Sequence, residues 1–392
     1  MDTSQRDNDR KIAEDQVEIS DLPETASHQT TWAAQFRHRW LNWQHTTGKS
    51  FWRRAAIPSI VALGIVALLL IVSSIASSSP FLHDLIAPRH QEATKVQPHY
   101  TLRTRPLATY KAAGAIDALA VSPDARRLAV ATLARTIEIW DITSGQRLLT
   151  YREHRSAVRS LAWSPDSTRI ASADGTVQIW NANSGKYLLS YGGHQGEIYS
   201  VAWSPDGTRI VSAGTDNTAQ VWDAHTGKHL LTYRGNNTAI LSAAWSPDGT
   251  RIASGGVDWQ IHIWDARTGK TLLTYSQHKD VVTSIAWSSD GGRIASGGQD
   301  TTVQIWDTHT GRHMLTYRGQ SNTIYTIAWE PDNSHIASGG ADNRIQEWNT
   351  RTSEPLLMCA SSANSIAWLY TPNEIRLISG GKDGIIKLWQ AV

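Results

Sequence analysis

The chain has 392 residues, a formal net charge of +2 and one cysteine, Cys359. That balance gives no global reason to expect nucleic acid, and a lone cysteine excludes an intrachain disulfide and a cysteine-based metal cluster. The redox compartment stays open, because a domain with a large apolar core needs no disulfides.

Residues 1–54 read as an arm that is mostly disordered. Residues 1–24 hold eight acids (Asp2, Asp7, Asp9, Glu14, Asp15, Glu18, Asp21, Glu24) against three bases, whereas 25–54 hold five bases and no acid. Within 31–44, Trp32, Phe36, Trp40 and Trp43 fall on one helical stripe beside Arg37 and Arg39, the pattern of an amphipathic helix lying in a headgroup layer. The next segment, 55–76, contains the uncharged run from Ile57 to Ala76, 20 residues long, which as a helix reaches ~30 Å and spans a bilayer. Five Lys or Arg (Arg37, Arg39, Lys49, Arg53, Arg54) precede it within 20 residues, against two (Arg89, Lys95) from His83 to Leu102. The positive-inside bias then expects a cytoplasmic N-terminus, a single-pass anchor in membrane lipid and the remainder outside the cell membrane. A cleaved signal peptide is the rival, with Ser74 and Ala76 near a possible cleavage site, but the run exceeds the usual ~7 to 15 residues of a signal core. Residues 77–104, with Pro80, Pro88 and Pro98, read as a spacer.

From 105 to 392 the chain repeats itself. Trp140, Trp180, Trp222, Trp264, Trp306, Trp348 and Trp389 are separated by 40, 42, 42, 42, 42 and 41 residues, which makes seven copies of a unit that cannot bury a core alone. A second series, Trp163, Trp203, Trp245, Trp287, Trp329 and Trp368, has Val121 at its place in the first copy. In the third copy, "EIYSVAWS", "RIVSAG", "TAQVWD" and "HLLTYR" alternate as strands and are parted by the turns "SPDGT", "TDN" and "AHTGK", so each copy predicts one four-stranded blade. Only "QAV" follows Trp389, leaving the last copy one strand short. "PLATYK", Pro106 to Lys111, matches the fourth-strand segments "RLLTYR" and "HLLTYR", so an N-terminal strand is expected to close the ring and remove an open sheet edge.

Gly193-His194, Asp216 and Trp222-Asp223, in this register, resemble the WD-repeat β-propellers, over residues 105–392. The resemblance implies an all-β, seven-bladed propeller and, in each blade, a hydrogen-bonded set of His, Ser, Asp and Trp. Those residues are His154, Ser172, Asp174 and Trp180; His194, Ser212, Asp216 and Trp222; and His278, Ser296, Asp300 and Trp306. Asn236 and Gln320 stand at two His positions, Ala134 replaces the Asp of the first copy, and the seventh is shortened around Cys359. Copies one and seven are therefore expected to be the loosest.

The His, Ser and Asp of a copy resemble a hydrolase triad, but the serine recurs on a buried strand where a nucleophile needs one exposed site. "TGKS", Thr47 to Ser50, lacks the glycine of a phosphate loop, since Trp43 stands there. His225 with His229, and His309 with His313, straddle turns and have no third ligand nearby. No catalysis, metal or cofactor is expected.

Recognition is left to a surface. In the family, partners often bind the face made by first-strand entrances and the turns between second and third strands. By offset, the entrances are Asp117, Arg159, Tyr199, Leu241, Thr283, Tyr325 and Asn364, and the turn positions are Ala173, Thr215, Val257, Gln299, Ala341 and Lys382. Trp259 adds an aromatic outside both regular series. Arg, Tyr and Trp are the types that dominate binding energy, so the expected function is a membrane-anchored, non-catalytic scaffold or sensor for protein or peptide ligands. The alternatives are a hydrolase or lyase site on the propeller, for which Asp117 is the one acid among the mapped positions, and a cell-wall glycan binder using Trp259 and the tyrosines.

Overall fold

The computed structural model describes residues 101–103, 105–371 and 374–390, all within the unit Thr94–Val392. The N-terminal arm, the aromatic stripe and the Ile57–Ala76 run lie outside the described residues. Among the described residues no helix is long and apolar enough to cross a membrane.

The described residues form 29 strands in seven sheets. The third sheet is typical: Ile198–Trp203, Arg209–Gly214, Ala219–Asp223 and His229–Tyr233 pair as an antiparallel meander. Its turns are written in the sequence. Gly207 (φ 69°) and Gly227 (φ 70°) take left-handed backbone that a side chain disfavours. Asp223 Oδ1 accepts the Thr226 N–H and hydroxyl, both at 2.8 Å, and so ties the last turn locally.

Burial then dictates the ring. In blades one to five, second strands are buried on both faces after their first residue, whereas fourth strands begin with two exposed residues. Each apolar cluster therefore draws on two consecutive sheets: Ala171, Ile179 and Tyr191 of blade two pack with Ile198, Trp203 and Trp222 of blade three. The same holds between Ile378, Ile386 and Leu388 of blade seven and Ile116, Leu128 and Trp140 of blade one. First strands of neighbouring blades contact one another around the whole cycle, placing them innermost.

This arrangement explains both tryptophan series. The third-strand Trp222 stacks on Tyr191 of the preceding blade with centroids 4.7 Å apart, and four other Tyr–Trp pairs repeat it at 4.5 to 4.7 Å. The first-strand tryptophans stitch the seams from the other side. Trp203 Nε1 donates to Ala162 O at 3.1 Å, and the Arg169 guanidinium lies 4.6 Å from its ring centroid.

Two segments near residue 105 extend the sheets. Ala108–Lys111 pairs antiparallel with the last strand, Ile385–Gln390, with Ala108 opposite Leu388 and Tyr110 opposite Ile386. Thr101–Arg103 adds to blade six as a fifth strand, parallel to Pro355–Ala360, with Leu102 opposite Met358. Residues read as spacer up to 104 thus include a strand.

Candidate functional site

The polar sets inside the blades come first, because they hold the turns of the candidate face. In blade three, His194 Nδ1–H donates to Asp216 Oδ2 at 2.9 Å. Nε2 then accepts from the Ser212 hydroxyl at 2.8 Å, and Ser212 Oγ in turn accepts the Trp222 Nε1–H at 3.1 Å. Burial pushes the His194 imidazole below its ordinary value, against the pull of Asp216. Blade two repeats the set: His154 is 2.7 Å from Ser172 and 3.2 Å from Asp174, and Trp180 donates to Ser172 at 3.1 Å. In blade five His278 lies 2.8 Å from both Ser296 and Asp300.

One member departs from expectation. Trp306 Nε1 is buried without a hydrogen-bond partner, so blade five keeps the His–Ser–Asp chain and lacks the indole link. Where histidine is missing, Asn236 substitutes well: its Nδ2 donates to Asp258 at 3.2 Å and its Oδ1 accepts from Ser254 at 2.7 Å. Gln320 is one methylene too long to do so, leaving its Oε1 and Trp348 Nε1 buried without partners. The orphaned polar atoms of these sets thus include His154 Nδ1 of blade two, which lies 3.2 Å from Asp174 without a well-formed hydrogen bond, beside those of blades five and six. The Ser–His–Asp polarity is that of a nucleophile relay, but Ser172, Ser212 and Ser296 are fully buried, and no substrate atom can reach them. Among the described residues no group of three or more His, Cys, Asp or Glu is placed to hold a metal ion.

The candidate face lies where first strands begin and second strands turn into third strands. Five entrance residues, Asp117, Tyr199, Leu241, Thr283 and Tyr325, sit at a shift in the pairing register between the first and second strands. Each is the extra residue of a β-bulge, the device that re-aims a side chain at the rim of a barrel. Arg159 and Asn364 lie just outside the ladder, donating backbone N–H to Ala173 O and Gly380 O, each at 2.9 Å.

Several of these positions bind the propeller to itself. Arg159 pairs with Asp117 of the previous blade at 2.8 Å, Asn364 Nδ2 donates to Ile116 O at 2.9 Å, and Thr283 Oγ1 donates to Ile324 O across the next seam. Leu241 and Ala173 are buried, which corrects their placement on an exposed rim. The leucine is apolar, so its bulge turns it into the fold, while Ala173 is clamped in the shortened second hairpin of blade two. Tyr199 and Tyr325 are half-buried, and burial pushes the Tyr325 phenol up.

Among the turn positions, Lys382 is exposed, while Thr215, Val257, Gln299 and Ala341 are half-buried. Thr215 Oγ1 accepts the Glu197 N–H at 3.0 Å. Trp259 is 44% exposed and holds φ at 64°, a conformation costly for a bulky side chain. Leu133, in the equivalent hairpin of blade one, is 49% exposed. The repeat pattern does not mark it, because that hairpin lacks the Asp that anchors the alignment; an apolar residue in a turn is the signal that could have found it.

A family model described as WD domain, G-beta repeat matches residues 104–141, 145–181, 185–223, 227–265, 269–307, 311–349 and 356–390. Over 58 residues the chain is 33% identical to Coronin-7 of Rattus norvegicus, a stretch covering 15% of this chain and 6% of that protein. The chain thus spans a small part of that relative's length.

Proposed function

The chain belongs to the WD domain, G-beta repeat family, and on that premise we propose that it is a membrane-anchored scaffold or sensor whose propeller face binds a protein or peptide outside the cell membrane. Propellers of this family mediate protein–protein interaction and are generally non-enzymatic. The observation that carries the reading is Trp259, held exposed at φ 64° at a turn position where blades three and six have Asn217 and Asn343, which fit such backbone, and blade five has Thr301. Tyr199 and Tyr325 at the first-strand entrances, with Arg159 beside its partner Asp117, are the further anchors of this reading, and Lys382, Gln299 and Thr215 its polar rim.

The uncharged run from Ile57 to Ala76 and the basic residues before it support an uncleaved anchor with its N-terminus in the cytoplasm. Protease accessibility of the propeller on intact cells tests the orientation, and the mass of the mature protein tests cleavage. Affinity capture with the full chain and with the Tyr199→Ala, Trp259→Ala, Tyr325→Ala triple variant tests the face. Loss of specific partners in the variant supports the reading, and an unchanged set sinks it. An exposed tryptophan also stacks on sugars, so retention on cell-wall glycan in place of protein would select the glycan-binding alternative.

A further inference from the structure

On the opposite, outer edge of each blade, the fourth strand pairs on one side only in blades one to five. Such an edge presents unpaired backbone donors and acceptors to any extended chain. Blade six differs, because Thr101–Arg103 lies along its fourth strand as an added parallel strand. Strand addition to this edge is therefore a contact the fold already makes.

Charge separates the occupied edge from four of the open ones. At the end of the turn leading into the fourth strand, blades two to five carry Lys186, Lys228, Lys270 and Arg312, all exposed and none in an ion pair among the described residues. Blade six carries Glu354 at this place, and the added strand lies further along, opposite Leu357 to Cys359. Two residues further along the open edges, Leu188, Leu230, Leu272 and Met314 are exposed, one apolar contact per blade.

We propose that the fourth-strand edges of blades two to five accept an acidic, extended polypeptide as an added β-strand. Backbone hydrogen bonds along the edge supply affinity, the exposed Leu or Met of the edge packs against alternate apolar side chains of the ligand, and Lys or Arg selects carboxylates. The like charge of the same edges opposes pairing with a second copy of this chain.

The test uses the purified full chain and a fluorescent octapeptide of alternating Glu and Leu, read by anisotropy. Saturable binding is expected, weakening with salt and falling roughly tenfold or more in the variant K186E/K228E/K270E/R312E. A Lys–Leu octapeptide should bind the wild-type chain poorly and the charge-reversed variant better. An octapeptide with alternate amides N-methylated should fail, since it cannot complete the ladder. Equal binding of the Lys–Leu or the N-methylated peptide to the wild-type chain, or of the Glu–Leu peptide to the variant, overturns the proposal. So does self-association through these edges in place of peptide binding.

Discussion

Trp203 of blade three donates its indole N–H to the carbonyl of Ala162 in blade two at 3.1 Å. The bond crosses the seam between two sheets, and the series continues from Trp163 to Ala120 at 2.9 Å through Trp368 to Ala328 at 3.0 Å. Blade one has Val121 at this position, so its seam with blade seven relies on other contacts, such as Ser365 Oγ accepting the Leu119 N–H at 3.1 Å. Trp203→Phe removes the donor and leaves a carbonyl unsatisfied near the core. A loss of about 1–3 kcal/mol is expected from the hydrogen bond and the lost volume together, measured by urea denaturation.

Trp259 allows stability and recognition to be separated. Trp259→Asn matches Asn217 and Asn343 in backbone and removes the strain, so the thermal midpoint should rise by the equivalent of about 0.5–1 kcal/mol. Partner capture should fall in the same variant. A variant that lost stability would show that the indole is held for packing.

Deleting residues 100–111 should cost most of the propeller's cooperativity. The last strand would lose the neighbour that now faces Ile386 and Leu388 and expose an apolar edge. Differential scanning calorimetry should show a broadened transition at lower temperature, and an unchanged transition would refute the idea that the ring depends on this segment.

Acid should act in two steps. The His194 imidazole titrates below its ordinary 6.5 because it is buried, so the unfolded chain binds a proton that the folded chain excludes. Stability falls as pH drops below about 6.5. Burial pushes the Asp300 carboxyl upward, but hydrogen bonding and charge from His278 outweigh this and bring it from 3.8 down to about 2. The stability it contributes is full above 3.8 and is lost as pH falls through 2. His194→Asn, which copies the arrangement of Asn236, should weaken only the first step in a plot of thermal midpoint against pH, and Asp300→Asn should reduce only the second, to which Asp174 and Asp216, also held below the usual carboxylate range, contribute as well.

The blades were legible because their signals are local and repeated. A Ser-Pro-Asp-Gly turn, a Trp-Asp strand end and a Thr-Gly-Lys turn each specify a few residues, and a period of 42 places them in register. The face was legible as positions but less so as surface. Offsets locate Leu241 and Tyr199 equally well, yet the bulge buries one and half-exposes the other, since the outcome depends on the side chain and its neighbours across the seam. The Asp117–Arg159 pair is hidden for the same reason: its partners are 42 residues apart, and nothing in either repeat alone marks them as joined. Thr101–Arg103 is hidden because three residues show no alternation.

The two short strands at the start of the propeller also give it a mechanical order. Tension arriving along the backbone from residue 100 would meet the three-residue ladder on blade six before any load passed to the Ala108–Lys111 ladder on blade seven. The shorter ladder can peel away as a fuse, lengthening the chain that leads into the propeller while every blade keeps the strands of its own meander.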